Sequence, residues 1–427
     1  MNKKKVVSLL TAATFAISLP VSASAADYAY SVGTDYADGS WWESGVDTSQ
    51  SAMDAATDFA LAGYSSYYNI KPTVAYFQGD APDGNPRMES DILFFAGHAN
   101  NELMTWNYDN KGGDYKVGVY YTNGFVSSTT DYTYVGLNDY NLNGTKLMVF
   151  AGCETASGST NLLTKATDNG ADSAVGFVDK VATASATKWR GKFTDAIGLG
   201  KSISQAITYA DSFSYDDDRV LTSTYEGSGS LIVKQSNFYK SQEDFLNKSL
   251  VSKESKETPV IGEKIKEKQK ELPVNKDIKF DFQNEDYTEI VNYISSIEDM
   301  FNLGDYTTKI KEKEDGNGSI TFNYTIDSIE TNVKYTAVIE DNLLTTIYLN
   351  GKLPKKEEKP STKKVSADQL TQLLDNVPTD EDYRVVNQFI KEKIDLESNQ
   401  QYIVAITDYE HIPSGTFVSG EIVHEIN

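Results

Sequence analysis

Two stretches of the chain share one pattern: an unbroken apolar run, a glycine, and then a single reactive side chain. Ile92 to Ala96 leads through Gly97 to His98, and Leu147 to Ala151 leads through Gly152 to Cys153. Five apolar residues without polar alternation predict a strand buried on both faces, the habit of a parallel sheet. Ligands in such sheets bind just beyond the carboxyl ends of the strands. If the two strands are neighbours, an imidazole and a thiol meet above one sheet edge.

The surrounding pattern supports that sheet. A first strand is predicted at 28–33, followed by a Gly/Asp/Trp-rich loop through Gly45. Asp47 or Thr48 can cap a helix with Met53, Ala56, Phe59 and Ala60 on one face, stopped at Gly63. A second strand falls within 64–74 or 73–77, and the segment 106–142, rich in Tyr, Gly and Asn, carries the Asn123-Gly124 signature of a tight hairpin. That segment reads as an insertion at the active edge of the sheet. After Cys153, Ser157 or Ser159 can cap a helix bearing Leu162, Leu163 and Ala166, closed by Gly170. A strand at 173–178 follows, then helices marked by Trp189, Phe193 and Ile197 and by Ile203, Ala206, Ile207 and Ala210, and a last strand at 230–233. Strands alternating with helices define an α/β unit over 26–250, a mostly parallel sheet with helices on both faces.

Beyond Leu250 the composition turns to Lys, Glu, Ser and Pro, which marks 251–276 as a charged linker. Residues 277–427 then read as a C-terminal α+β accessory domain with antiparallel strands, in one part or in two split near 353–365. Its elements are a helix at 287–303, strands at 305–313, 319–326, 332–340 and 343–350, helical patterns at 366–395, and closing strands at 401–408 and 416–425. His411 and His424 lie in this tail without a second ligand at metal spacing, so they read as surface or packing residues.

Residues 1–25 carry Lys3, Lys4 and Lys5, an apolar run broken by Pro20, and Ala23-Ser24-Ala25, the layout of a signal peptide cleaved near Ala25. A secreted protein is therefore expected, with no integral membrane association. The formal charge of −23 argues against nucleic acid as a partner. Cys153 is the only cysteine, which excludes an internal disulfide. A lone exported thiol is a liability unless it is buried and inert or used. The histidine at the matching strand end favours use. His98 can hold the proton, and the backbone N–H groups of Ala99 and Cys153 can receive an oxyanion. The orienting third residue of a triad is not evident, so the pair reads as a dyad.

Histidine first and cysteine second, on an α/β sheet, resembles the caspase-like (clan CD) cysteine peptidases: caspases, metacaspases, gingipain, clostripain, legumain and the CHAT domains. The matching pieces are residues 94–98, 147–156, 170–177 and 200–207, the last two closest to CHAT domains. The resemblance implies a caspase-like sheet, Cys153 as nucleophile, His98 as general base and acid, and cleavage of a peptide bond. Most relatives carry glycine directly after the histidine, where this chain has Ala99, which keeps the N–H donor but forbids a φ above zero.

Relatives that cut after Arg or Lys hold an acidic residue near the end of the first strand or the start of the first helix. Asp35, Asp47, Asp54 and Asp179 are the candidates here, each also explicable as a loop or cap residue. Cleavage after Arg or Lys would make the linker from Lys253 to Lys276 a self-processing site. No cofactor is required. Calcium is a candidate at Asp216-Asp217-Asp218 or within 107–114, although neither matches a known calcium loop and a solvated acidic loop is the simpler reading. A monomer acting on protein or peptide substrates is expected. The competing reading is a non-catalytic scaffold that binds an extracellular partner, with Ala99 as its sign. A third assigns the binding function, or an inhibitory propeptide, to residues 277–427.

Overall fold

The predicted apolar runs form the two central strands of a mixed sheet. The computed structural model describes residues 27–34, 47–107, 116–127, 133–233, 270–298, 306–312, 316–352, 383–396, 398–412 and 415–426. The N-terminal half supplies β1 (Tyr28–Val32), β2 (Ser65–Asn69), β3 (Ile92–Ala96), β4 (His98–Ala99), β5 (Leu103–Asn107) and β6 (Lys116–Tyr120). It continues with β7 (Phe125–Val126), β8 (Thr133–Gly136), β9 (Leu147–Ala151), β10 (Ser173–Phe177) and β11 (Ser223–Gly227). Six of these form one sheet in the order β11-β10-β9-β3-β1-β2, in which only β11 is antiparallel to its neighbour.

Every residue of β3 and β9 is buried. One face packs against helices Ser49–Leu61, Thr183–Gly198 and Ile203–Asp211 through Phe59, Phe94, Val149, Trp189 and Phe193. The other packs against the short helices Val74–Gln78 and Leu162–Asp168 and against β5, β6 and β8 through Phe77, Phe95, Trp106, Val119 and Phe150. Each of these large side chains contributes roughly 1.5–3 kcal/mol by leaving water. Trp106 also donates its indole N–H to the Ala96 carbonyl at 2.9 Å, which ties the end of β3 to β5.

The C-terminal half supplies β12 (Lys270–Leu272), β13 (Tyr306–Glu312), β14 (Gly318–Ile326), β15 (Ile329–Glu340), β16 (Leu343–Asn350), β17 (Tyr383–Asp395), β18 (Gln400–His411) and β19 (Thr416–Glu425). Helix Thr288–Ile297 packs on it through Ile290 and Ile294. These strands form a largely antiparallel sheet that runs β12-β16-β15-β17-β18-β19 and continues without a break into β4-β5-β6-β8-β7. The second sheet thus begins at His98 itself and joins the two halves through the pair Phe417 and Ala99.

Several expectations are corrected. The Asn123-Gly124 hairpin does not form: β7 pairs with β8 instead of β6, because the Asp139 carboxylate accepts from both Gly124 N–H and Gly136 N–H at 2.9 Å and pins the turn there. The closing strand of the first sheet is β11, ahead of 230–233. The helix after Cys153 is capped by Asn161, whose side chain accepts from the backbone of Leu163 and Thr164. The second strand falls at Ser65–Asn69, within 64–74, while residues 74–78 are helical, and 383–395 are a strand paired along β18 in place of the helix that the pattern predicts. The stretch 251–276 contains β12 at Lys270–Leu272, and Met53 is only half-buried, the buried face being Ala52, Ala55, Ala56 and Phe59. The signal-peptide reading, the 107–114 loop beyond residue 107, most of the linker and the 353–365 split lie outside the described residues. Among the described residues no helix is long and apolar enough to cross a membrane.

Candidate active site

The strands β3 and β9 are parallel neighbours in register, with Ala96 opposite Ala151. Each then turns out of the sheet through one glycine. A Cβ on Gly152 would stand 2.6 Å from the Ala99 Cβ and 2.8 Å from the Gly97 carbonyl oxygen, so the two turns approach as closely as backbones can. His98 and Cys153 consequently line the same cavity, together with Thr48, Val181, Thr183, Arg190, Phe417 and Val418. The cavity holds about 20 Å³, room for one water.

Cys153 is 4% exposed. Its thiol lies 3.7 Å from the Val181 carbonyl, to which it donates, and 3.5 Å from the Val181 N–H, from which it accepts. Burial pushes the thiol up from near 9 to about 12; the Val181 hydrogen bond opposes this and the Asp408 carboxylate adds to it. In this state the sulfur is a thiol. The next residue, Glu154, holds φ at +56°, a left-handed conformation that a non-glycine residue adopts at a cost of order 1 kcal/mol. It is fixed there by a hydrogen bond from its N–H to the Asp179 carbonyl at 3.0 Å and by an ion pair from its carboxylate to Lys180 at 2.6 Å. That sharp turn presents the sulfur to the cavity. Ala99 is not among the residues with positive φ, so its methyl imposes no strain at that point.

Two further side chains shape the site. Thr48, at the start of helix Ser49–Leu61, donates its hydroxyl to the Ala96 carbonyl at 2.7 Å and accepts from Thr34 N–H at 3.0 Å, clamping the end of β3 to β1. Arg190 is 2% exposed and donates to the carbonyls of Ala151 (3.1 Å) and Ala186 (2.9 Å). Among the described residues it pairs with no carboxylate. Burial lowers it from 12.5 to about 9, against the pull of the nearby Cys153. A cation kept in a dry cavity beside a sulfur favours the thiolate once that forms.

The predicted pocket carboxylates lie elsewhere. Asp47 caps Ser49 N–H at 2.8 Å, Asp54 accepts from Gln50 at 3.0 Å on the outer side of the same helix, and Asp179 is exposed and accepts from Lys180 N–H at 3.0 Å. None lines the cavity, and Asp35 lies outside the described residues. The run Asp216-Asp217-Asp218 is not a solvated loop. Asp216 accepts from the Tyr402 hydroxyl at 3.1 Å, Asp217 pairs with Arg219 at 3.0 Å, and Asp218 pairs with Lys391 at 3.1 Å and Lys309 at 3.3 Å. Burial alone would raise Asp218, but Lys393, Lys391 and Lys309 outweigh it and hold the carboxyl well below the usual range. Among the described residues no group of three His, Cys, Asp or Glu could hold a metal. His424 is half-buried on β19. No protein-family model matches the chain, and no curated protein matches it in sequence.

Proposed function

We propose that the chain is an exported cysteine endopeptidase of the caspase-like kind, with His98 and Cys153 as its dyad. The observation that carries this is the delivery of both side chains into one cavity by adjacent parallel strands. In the proposed reaction His98 takes the thiol proton, and the sulfur attacks the carbonyl carbon of the scissile bond. The N–H groups of Ala99 and Cys153 receive the developing oxyanion. The C–N bond then breaks as His98 returns the proton to the leaving amine, and a thioester remains. Water, deprotonated by His98, attacks the thioester, releasing the acid and restoring the thiol. Arg190 stabilises the thiolate during the first step. Preference for Arg or Lys before the cut draws no support from the described carboxylates, since the cavity wall carries a cation and no acid.

One observation favours the non-catalytic scaffold: the thiol is almost wholly buried, which disfavours its thiolate. Digestion of a peptide library separates the two readings, with Cys153→Ala and His98→Ala as controls. The peptidase reading expects products from the parent chain, or from variants whose cavity wall is opened by Phe417→Gly or Val418→Gly, that neither control yields. Identical product lists from all of them would leave only the scaffold.

A further inference from the structure

The last of the described strands, β19, lies along the cavity and supplies Phe417 and Val418 to its wall. Phe417 of β19 pairs with Ala99, the residue after His98, and Ser419 forms a parallel bridge with Ala182, beside the Val181 backbone that holds the sulfur. Asn100 donates its side-chain amide to the Gly415 carbonyl at 3.1 Å, and the Thr183 hydroxyl donates to the Ser419 carbonyl at 3.4 Å. Phe417 and Val418 complete the cavity wall, and the Lys180 ammonium stands 4.2 Å from the centre of the Phe417 ring. Residues 416–419 are therefore held in extended form by main-chain contacts to both flanks of the site, the way a sheet edge captures a peptide.

We infer that the groove between Ala99–Asn100 and Lys180–Thr183 is a binding groove for an extended polypeptide strand with an aromatic residue beneath Lys180. Residues 416–419 are its resident occupant. The inference rests on the peptidase reading for the nature of the ligand. The C-terminal half then acts as an intramolecular inhibitor: substrate enters only after β19 leaves, and departure of Phe417 and Val418 also rehydrates Cys153, lowering the barrier to thiolate formation.

The test is the rate of Cys153 alkylation by iodoacetamide at pH 8 in the full chain, with Phe417→Gly and Val418→Gly as opened variants. Their alkylation is expected to rise at least tenfold over the parent, and an excess of a synthetic peptide of residues 414–421 is expected to slow it again. An unchanged rate in a variant that melts like the parent overturns the inference. If both variants fail to fold, the parent alone decides. In rising sub-denaturing urea its alkylation must accelerate in step with hydrogen exchange at residues 416–420, and alkylation at the rate of a free thiol while those amides stay protected overturns the inference. Faster alkylation in variants that cut no peptide would remove the peptidase reading and leave the occupied groove. Equal peptide cleavage by parent and opened variants would do the reverse.

Discussion

Glu421 gives the most direct measurement of how firmly β19 is seated. Its carboxylate accepts from the Ser185 hydroxyl at 2.9 Å, on the helix that carries Arg190. Burial, then the charges of Asp216 and Asp217, raise it from 4.5 to about 7, against the Ser185 hydrogen bond and Lys393. Below pH 4.5 the group is protonated whether the chain is folded or not. Between there and pH 7 the unfolded chain releases a proton that the folded chain keeps, so stability falls as pH rises. Above 7 the loss is complete. That interval corresponds to about 3 kcal/mol, and residual solvent contact trims it to ~2 kcal/mol. Glu421→Gln keeps the hydrogen-bond acceptor without the charge. It is expected to match the parent at pH 5 and exceed it by ~2 kcal/mol at pH 8, a rise of roughly 2–4 °C in melting temperature for a chain of this size. Lys334 runs the other way, since burial lowers it to about 7 and its contribution is lost as pH falls, but comparing the two proteins at each pH cancels it. A difference between variant and parent that is the same at pH 5 and pH 8 would refute the reasoning.

Two other substitutions probe the site itself. Gly152→Ala places a methyl 2.6 Å from the Ala99 Cβ and 2.8 Å from the Gly97 carbonyl, and is expected to cost about 1–3 kcal/mol in urea unfolding and to abolish any His98-dependent reactivity of Cys153. Arg190→Met removes the buried cation while filling its volume; the pH profile of Cys153 alkylation should move upward, with a rate at pH 8 about tenfold lower, and Arg190→Lys should recover part of it.

The central strands were legible because burial on both faces writes itself as uninterrupted apolar residues, and because Gly97 and Gly152 are glycine where the backbones close in. Arg190 is a functional residue that the apolar pattern of Trp189, Phe193 and Ile197 does not single out. Its spacing was the available signal: Ala186, Arg190, Phe193 and Ile197 fall on one stripe, so the arginine points inward with them. The acidic run at 216–218 looked solvated because its partners lie on strands far along the chain. The signal there is that Lys309 and Lys311, like Lys391 and Lys393, are two residues apart on a strand and so share a face. Phe417 gave no local sign at all. Its role depends on which strand of the second sheet meets β4, and pairing between strands 318 residues apart leaves no trace in either pattern alone.

The ion pairs between the halves bear on why β19 sits in one register. Asp217 accepts from the Ala182 N–H at 2.7 Å and pairs with Arg219, which pairs with Asp408 at 2.6 Å, which in turn accepts from the Ser419 hydroxyl. Asp217, Asp408 and Ser419 are almost wholly buried. Lys311 reaches Asp211 at 2.6 Å, and Lys393 donates to the Tyr215 carbonyl. Buried pairs of this kind add little net stability, because desolvation offsets most of the attraction, but a broken one costs about 3–5 kcal/mol. Sliding β19 by one residue would break the Ser419 link to the buried Asp408 and turn the Phe417 side chain to the opposite face, while Arg219 keeps both Asp217 and Asp408. The Ser419 link therefore acts less as glue than as a register lock, and what it locks is the Phe417 side chain in the wall of the cavity that Cys153 lines. Displacing β19 together with β18 keeps their ten-residue pairing and the Ser419 link, and leaves Arg219 paired with Asp217 when it parts from Asp408. A cover that cannot creep but can lift is the arrangement an intramolecular inhibitor requires.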